Sequence, residues 1–350
     1  MTKRIRGALS VSLLIAVSIA VSLALAEVTL RLLGHRGEPF SRISNIYLVD
    51  DPILDWRYVP NSELRSGRVV YRYNTAGFRD RNHDQRKPAG IERIVVLGDS
   101  VTEGYGVEWA DVFARVLQSR LGDRHEVINI AAGGLNTPQE IHLLESVGTK
   151  YNPDLVVLNF VLNDVDFYTK FAPAQRAAEE GDSRIAMLNL PIPPSIKRLL
   201  KSSALIYFVK DRLESLRARL ITGQAGGDYY DRIWASEANR RKVTDGFSRL
   251  AALQASGHFD VLIMIWPLMT AYQAYRFEWV HEWVAREAKK AGFAVIDLLP
   301  RFSTVPYRKL QVSAEDNVHP NALGHRLGAE EFLAWYRSSG RAKRSGGKSS

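Results

Sequence analysis

Four short stretches of this chain carry groups suited to acyl transfer. Ser100 stands in Gly98-Asp99-Ser100, directly after the β-branched run Arg93-Ile94-Val95-Val96-Leu97. A glycine there permits the tight turn that would expose a hydroxyl at the start of a helix. Ala131-Ala132-Gly133-Gly134 follows a second apolar run and offers backbone N–H groups without side-chain obstruction. Val161-Leu162-Asn163-Asp164 follows a third and offers a side-chain amide donor. Asp316-Asn317-Val318-His319-Pro320, just ahead of the last helical pattern, pairs an imidazole with a carboxylate three positions away. An oxygen nucleophile, a base and preorganised donors for an oxyanion are the parts that acyl transfer needs.

Taken singly, each stretch has an ordinary explanation. Gly98-Asp99-Ser100 would serve as a helix cap, Gly133-Gly134 as a turn, and Asn163-Asp164 as either. Asp316 and His319 would pass for a surface pair, or for half a metal site. However, no second histidine stands at metal spacing, and His325 reads as a helix residue. No metal or cofactor is therefore expected. The conjunction carries the inference, provided the fold brings the four stretches together.

The surrounding pattern predicts that it does. Strands are expected at Arg93–Leu97, Val127–Asn129, Leu155–Asn159, Asp260–Ile265 and Ala294–Asp297. Helices are expected over Trp109–Leu121, Pro138–Lys150, Ala235–Ala255, Tyr272–Lys290 and Asn321–Tyr336. Buried strands alternating with helices imply an α/β fold, three layers α/β/α, with a five-stranded, mostly parallel doubly wound sheet. In such sheets reactive groups gather beyond the carboxyl ends of the strands, where each of the four stretches falls.

The charge distribution argues against nucleic acid. The chain holds 47 Lys and Arg against 38 Asp and Glu, a net +9. Lys3, Arg4, Arg6, Arg31 and Arg36 against Glu27 give +4 in residues 1–36, and Arg337, Arg341, Lys343, Arg344 and Lys348 give +5 in residues 337–350, so everything between is neutral. A phosphate-binding face needs its excess charge on the folded surface. The lack of any cysteine excludes disulfides, thiolate metal sites and a cysteine nucleophile.

Lys3, Arg4 and Arg6 precede the uncharged stretch Ala8–Ala26, 19 residues long. As a helix it spans roughly 28 Å, close to the hydrocarbon thickness of a bilayer. Apolar continuation to Leu33 favours an uncleaved anchor over a signal peptide cleaved after Ala24-Leu25-Ala26. The basic cluster holds the first residues in the cytoplasm and sends the remainder across the membrane. The chain then divides into a basic start (1–7), a signal anchor (8–33), a linker and amino-terminal extension (34–90), a catalytic domain (91–337) with a helical insertion at 165–233, and a basic tail (338–350). Ile196–Leu220 within the insertion is amphipathic, with leucines interleaved among lysines and arginines, and reads as a helix packed on the domain, a cap or a lipid-facing surface.

Over residues 91–337 the sequence resembles the SGNH or GDSL-type serine hydrolases, whose four blocks occur here in order. The resemblance implies that Ser100 is the nucleophile, His319 the base and Asp316 the residue that orients it. It further implies an oxyanion hole made by the N–H of Ser100, the N–H of Gly134 (favoured over Gly133 by the flanking Asn129 and Thr137) and the side chain of Asn163. One position departs from the pattern: Val161 stands where the family usually has glycine, which bears on the size of the pocket. Asn74-x-x-Gly77-Phe78-Arg79 is similar to a segment of membrane-anchored bacterial relatives and reads chiefly as a turn. The implied activity is an extracytoplasmic esterase acting on a small acyl ester or an acylated carbohydrate, tethered to the membrane by its amino-terminal helix. An O-acyltransferase, a lysophospholipid or lipid esterase, and an inactive carbohydrate-binding scaffold are the alternatives.

Overall fold

The computed structural model describes residues 2–32, 46–165 and 229–341, apart from Asp50, Pro52, Asp55, Gly67 and Glu315, together with 184–185, 190–191, 203–206 and 208–209. The chain divides into two compact units. One comprises residues 1–44 and 172–228, the other residues 45–171 and 229–350.

In the first unit, helix α1 (Thr2–Leu32) holds the apolar stretch Leu13–Leu32, 20 residues with a mean hydropathy of 2.3 and none of it buried. Among the described residues it is the one helix long and apolar enough to cross a membrane. Its Glu27 pairs with Arg31 and accepts hydrogen bonds from the Ser203 hydroxyl and the Ala204 and Leu205 N–H groups. The short strands β8 (Arg184–Ile185) and β9 (Leu190–Pro191) pair antiparallel in this unit. Most of the expected amphipathic helix Ile196–Leu220 lies outside the described residues.

The second unit is built on a five-stranded parallel sheet. Its strands are β5 (Glu92–Gly98), β6 (His125–Ala131), β7 (Leu155–Val161), β10 (Asp260–Trp266) and β11 (Ala294–Asp297), in the spatial order β11-β10-β7-β5-β6. Successive side chains of a strand point to opposite faces, so a sheet covered on both sides needs unbroken apolar runs. Val95, Leu97, Val156, Leu158, Phe160, Ile263 and Ile265 pack on one side with Ile141, Val243, Phe247 and Val284. These partners come from α4 (Thr137–Ser146), α6 (Glu237–Gly257) and α7 (Glu278–Lys290). Ile94, Val96, Val157, Leu262, Met264 and Trp266 pack on the other side with Phe113, Leu117, Phe302 and Phe332, supplied by α3 (Phe113–Leu121), the one-turn α8 (Leu299–Phe302) and α9 (Ala322–Ser338).

Helix boundaries differ from the sequence pattern where local capping intervenes. Val112 is extended, so Trp109–Asp111 is a 3-10 turn ahead of α3 rather than its first turn. Ser236 caps α6 through the Asn239 N–H, which separates it from the short helix α5 (Tyr229–Ala235). The expected helix over Tyr272–Lys290 starts only at Glu278, after an extended Tyr275.

Within the stretch 34–90, expected as linker and extension, residues 46–72 carry two small antiparallel hairpins. In these, β1 (Ile46–Leu48) pairs with β2 (Trp56–Tyr58), and β3 (Glu63–Ser66) with β4 (Val69–Arg72). Trp56, Tyr71, Tyr73, Phe78 and Arg79 from this stretch are all buried.

Candidate active site

The chain reaches β5 first, runs out to β6, then crosses back over β5 to β7 on its other side. The crevice between β5 and β7 is therefore the topological switch point, where a doubly wound sheet receives its ligands. Ser100 follows β5 and Asn163 follows β7, so the two meet there by topology rather than by nearness in sequence.

Ser100 opens the one-turn helix α2 (Ser100–Glu103). The turn into it depends on Gly98, because a Cβ at that position would stand 2.1 Å from Thr102 Oγ1 and 3.2 Å from the Asn159 carbonyl. Asp99 caps α2, its Oδ1 accepting from the Val101 N–H at 2.8 Å.

From the other end of the domain, a loop carries Asp316 and His319 to the same point. The Met269 N–H donates to the Asn317 carbonyl at 2.7 Å, and the Val312 N–H to the His319 carbonyl at 3.1 Å. Asn321 closes the loop by capping α9 through the Leu323 and Gly324 N–H groups. His319 Nε2 thus lies 2.9 Å from Ser100 Oγ, across 219 positions of sequence. His319 Nδ1 lies 2.8 Å from Asp316 Oδ2. Asp316 Oδ1 also accepts the backbone N–H groups of His319 at 2.9 Å and Val318 at 3.0 Å. Burial pushes the Asp316 carboxyl up, but hydrogen bonding to and charge on His319, with the two N–H groups, hold it below the usual carboxylate range. An ionised Asp316 fixes the proton of a neutral His319 on Nδ1 and leaves Nε2 as an acceptor facing the hydroxyl.

Asn163 donates from Nδ2 to Asp99 Oδ2 at 3.0 Å, while its Oδ1 is buried without a partner. Since a carboxylate only accepts, Asp99 fixes which end of the amide is the NH2, and the second hydrogen of that group is left for the crevice. Burial pushes the Asp99 carboxyl up, against the pull of Asn163, Val101, His319 and Ser100. Behind it lie Glu140 and Asp164, both fully buried. Burial first, then repulsion from Asp99, push Glu140 well above the carboxylate range; Asp164 is pushed likewise, with Glu140 and Asp99 both repelling it. Asp99, with more donors directed at it, is the acid of the three equipped to hold a charge.

The two glycines after β6 play different parts. Gly133 packs directly against Glu103 and Ser100: a Cβ there would meet Glu103 Oε2 at 3.2 Å, the Tyr58 hydroxyl at 3.4 Å and Ser100 Cβ at 3.7 Å. Gly134 has φ +78° and open space where a side chain would stand. Gly133 is thus closed in by Glu103, Tyr58 and Ser100, and Gly134 is the glycine whose surroundings admit a ligand. Asn136 then starts α4 with a reciprocal cap to Gln139. Val161, the departure from the family pattern, is buried in the core on the α3 and α9 side of the sheet.

Three contacts carry no signal in residue spacing. Asp99 orients Asn163, Glu103 packs against Gly133, and the Tyr105 ring packs against His319 with centroids 4.4 Å apart and planes tilted by 44°. Nearness to Ser100 in sequence was the one available hint. His325 is a core residue: its Nδ1 accepts the Phe113 N–H at 3.3 Å, and burial, with the charges of Arg79 and His319, lowers its pKa to about 3. Among the described residues no group of three or more His, Cys, Asp or Glu side chains could hold a metal ion.

A profile of the GDSL-like lipase/acylhydrolase family matches residues 96–327, from within β5 into α9. The chain belongs to this family. It is accordingly an ester-bond hydrolase on an SGNH fold. Similar solved structures include TesA, at 15% identity and a TM-score of 0.43 over 71% of this chain and 99% of that one. An acetyl xylan esterase, AlAXEase, is 14% identical with a TM-score of 0.40 over 69% and 98% of the two chains. A GDSL-like lipase from Bacteroides thetaiotaomicron is 12% identical with a TM-score of 0.42 over 73% and 93%. Among curated protein sequences none matches.

Proposed function

We propose that this protein is a membrane-tethered, extracytoplasmic serine esterase that removes acetyl or other short acyl groups, with acylated carbohydrate as its substrate class. The observation that carries the chemistry is the continuous path from Ser100 Oγ to His319 Nε2 at 2.9 Å and from His319 Nδ1 to Asp316 at 2.8 Å. The tether and the location rest on α1 and the basic residues ahead of its apolar stretch.

In this reading His319 accepts the Ser100 proton as Oγ attacks the ester carbonyl, and Asp316 stabilises the imidazolium that forms. The new oxyanion is held by the Ser100 N–H, the Gly134 N–H and the Asn163 hydrogen not engaged by Asp99. Collapse of the tetrahedral intermediate breaks the ester C–O bond, and His319 passes its proton to the departing alkoxide. Water then attacks the acyl-enzyme with His319 again as base, giving the free acid and restoring Ser100.

The test is labelling of the full-length, detergent-solubilised protein with a fluorophosphonate, parent against Ser100→Ala, followed by acetate release from an O-acetylated oligosaccharide. Labelling and release that both disappear with Ser100 support the reading. Equal labelling of the two proteins rules Ser100 out as the nucleophile.

A further inference from the structure

Residues 58–79 take no part in the reaction as written, yet they bury costly polar groups against the loop that follows Ser100. Arg79 is 1% exposed. Its Nη1 donates to the carbonyls of Glu103 at 3.2 Å and Gly104 at 2.5 Å, and its Nη2 to that of Val107 at 2.7 Å. Its guanidinium also stacks 4.1 Å over the ring of Tyr71, whose hydroxyl accepts the Gly106 N–H at 2.7 Å. Peptides on both sides of Tyr105 are thereby fixed, and the Tyr105 N–H itself donates to the Ser100 carbonyl at 2.9 Å. The Tyr105 ring then rests on His319.

A second set of contacts converges on Glu103, the last residue of the helix that Ser100 opens. Tyr73 donates its hydroxyl to Glu103 Oε1 at 2.7 Å, and Tyr58 to Oε2 at 3.2 Å. The two rings stack with centroids 4.2 Å apart. The same carboxylate lies against Gly133, one residue before Gly134, where a Cβ would stand 3.2 Å from Glu103 Oε2. A buried carboxylate is expensive unless saturated with donors. Here burial pushes the Glu103 carboxyl up, and the Tyr73 hydroxyl, the charge of Arg79 and the Tyr58 hydroxyl, all from the amino-terminal segment, pull it back.

We propose that residues 58–79 are a working part of the active site. Glu103, clasped by Tyr58 and Tyr73, sets the Gly133–Gly134 peptide so that the Gly134 N–H meets the oxyanion, while Arg79 and Tyr71 hold Tyr105 against His319. Glu103, Arg79 and Tyr105 are positioning residues in this scheme; none touches the reacting atoms. The segment marked by Asn74, Gly77, Phe78 and Arg79 thereby acquires a role beyond its turn: Asn74 Oδ1 accepts the Ala76 and Phe78 N–H groups, which delivers Arg79 to the loop. The proposal rests on Ser100, His319 and Gly134 acting as set out under Proposed function.

The experiment compares Glu103→Gln, Tyr73→Phe, Arg79→Lys, Tyr105→Ala and Tyr105→Phe in the full chain, using 4-nitrophenyl acetate, with Ser100→Ala as the reference. Small displacements of catalytic donors cost much in rate, so kcat should fall roughly tenfold or more in the first four variants while KM stays within about twofold. Tyr105→Phe keeps the ring and should restore the parental kcat. Should Glu103→Gln fail to fold, Tyr73→Phe, which removes one hydroxyl, carries the test. Folded Tyr73→Phe and Arg79→Lys proteins with parental kcat overturn the proposal. Loss of turnover in Ser100→Ala beside that result leaves the esterase reading standing; retention of turnover in Ser100→Ala removes the esterase reading itself.

Discussion

Asn163 Nδ2 lies 3.0 Å from Asp99 Oδ2, so the side chain proposed as an oxyanion donor is oriented by the residue immediately before the proposed nucleophile. The amide is therefore set before substrate arrives, which is the condition for a donor to stabilise developing charge without reorganising. Asn163→Ala should lower kcat roughly 10²–10³-fold, with a much smaller change in KM. Asp99→Asn, which keeps the shape but no longer dictates the direction of the amide, should cost about tenfold. Steady-state kinetics on 4-nitrophenyl acetate check both, and parental turnover in Asn163→Ala removes that residue from the oxyanion hole.

His325 should govern part of the acid sensitivity of the fold. Its folded pKa is lowered from 6.5 to about 3, chiefly by burial. Between those values the unfolded chain takes up a proton that the folded chain refuses. The neutral imidazole thus contributes stability that is complete above pH 6.5 and is lost progressively as pH falls towards 3. One proton corresponds to a slope of about 1.4 kcal/mol per pH unit. His325→Gln, which keeps an acceptor for the Phe113 N–H, should flatten unfolding free energy against pH by up to that slope. Urea titrations between pH 7 and pH 4 would show it; identical slopes in parent and variant would contradict it.

Gly98 should tolerate no side chain. A methyl group there would overlap Thr102 Oγ1 and press on the Asn159 carbonyl. Gly98→Ala is expected to destabilise the domain by about 1–3 kcal/mol, as overpacking of a tight site does. Because the displaced turn carries Ser100, fluorophosphonate labelling per folded molecule should fall as well. A variant with parental melting temperature and labelling rate would refute this.

Trp234 ties the Asn163 turn to the helical layer, donating from Nε1 to the Leu162 carbonyl at 2.8 Å while fully buried. Trp234→Phe leaves that carbonyl unpaired, at a cost of about 1–3 kcal/mol. Thermal unfolding should reveal the loss, and Trp234→Phe should also reduce kcat more than it raises KM, because Asn163 is the next residue along.

The strands of the sheet were legible in the sequence because they are buried on both faces, which demands uninterrupted runs such as Ile94–Leu97 and Val261–Ile265. The placing of Ser100, Asn163 and His319 at strand or loop ends was legible for a related reason: polar and glycine residues interrupt those apolar runs where the chain leaves the core. The hairpins of residues 46–72 were not legible, since strands of three or four residues with polar faces give no sustained period.

By itself the sequence determined the layers, the order of the strands along the chain and the kinds of group available at their ends, because hydrophobic period and turn chemistry are local properties. Only the tertiary structure decided which strands are neighbours and which groups meet. Ser100 and His319 touch because β5 is an inner strand, flanked by β7 and β6, and the Asp316 loop folds back over its end. Glu103 finds Tyr73 and Gly133, and Tyr105 finds His319, through pairings 30 to more than 200 positions apart. Such pairings are selected by the joint packing of several elements, and no window of sequence contains them.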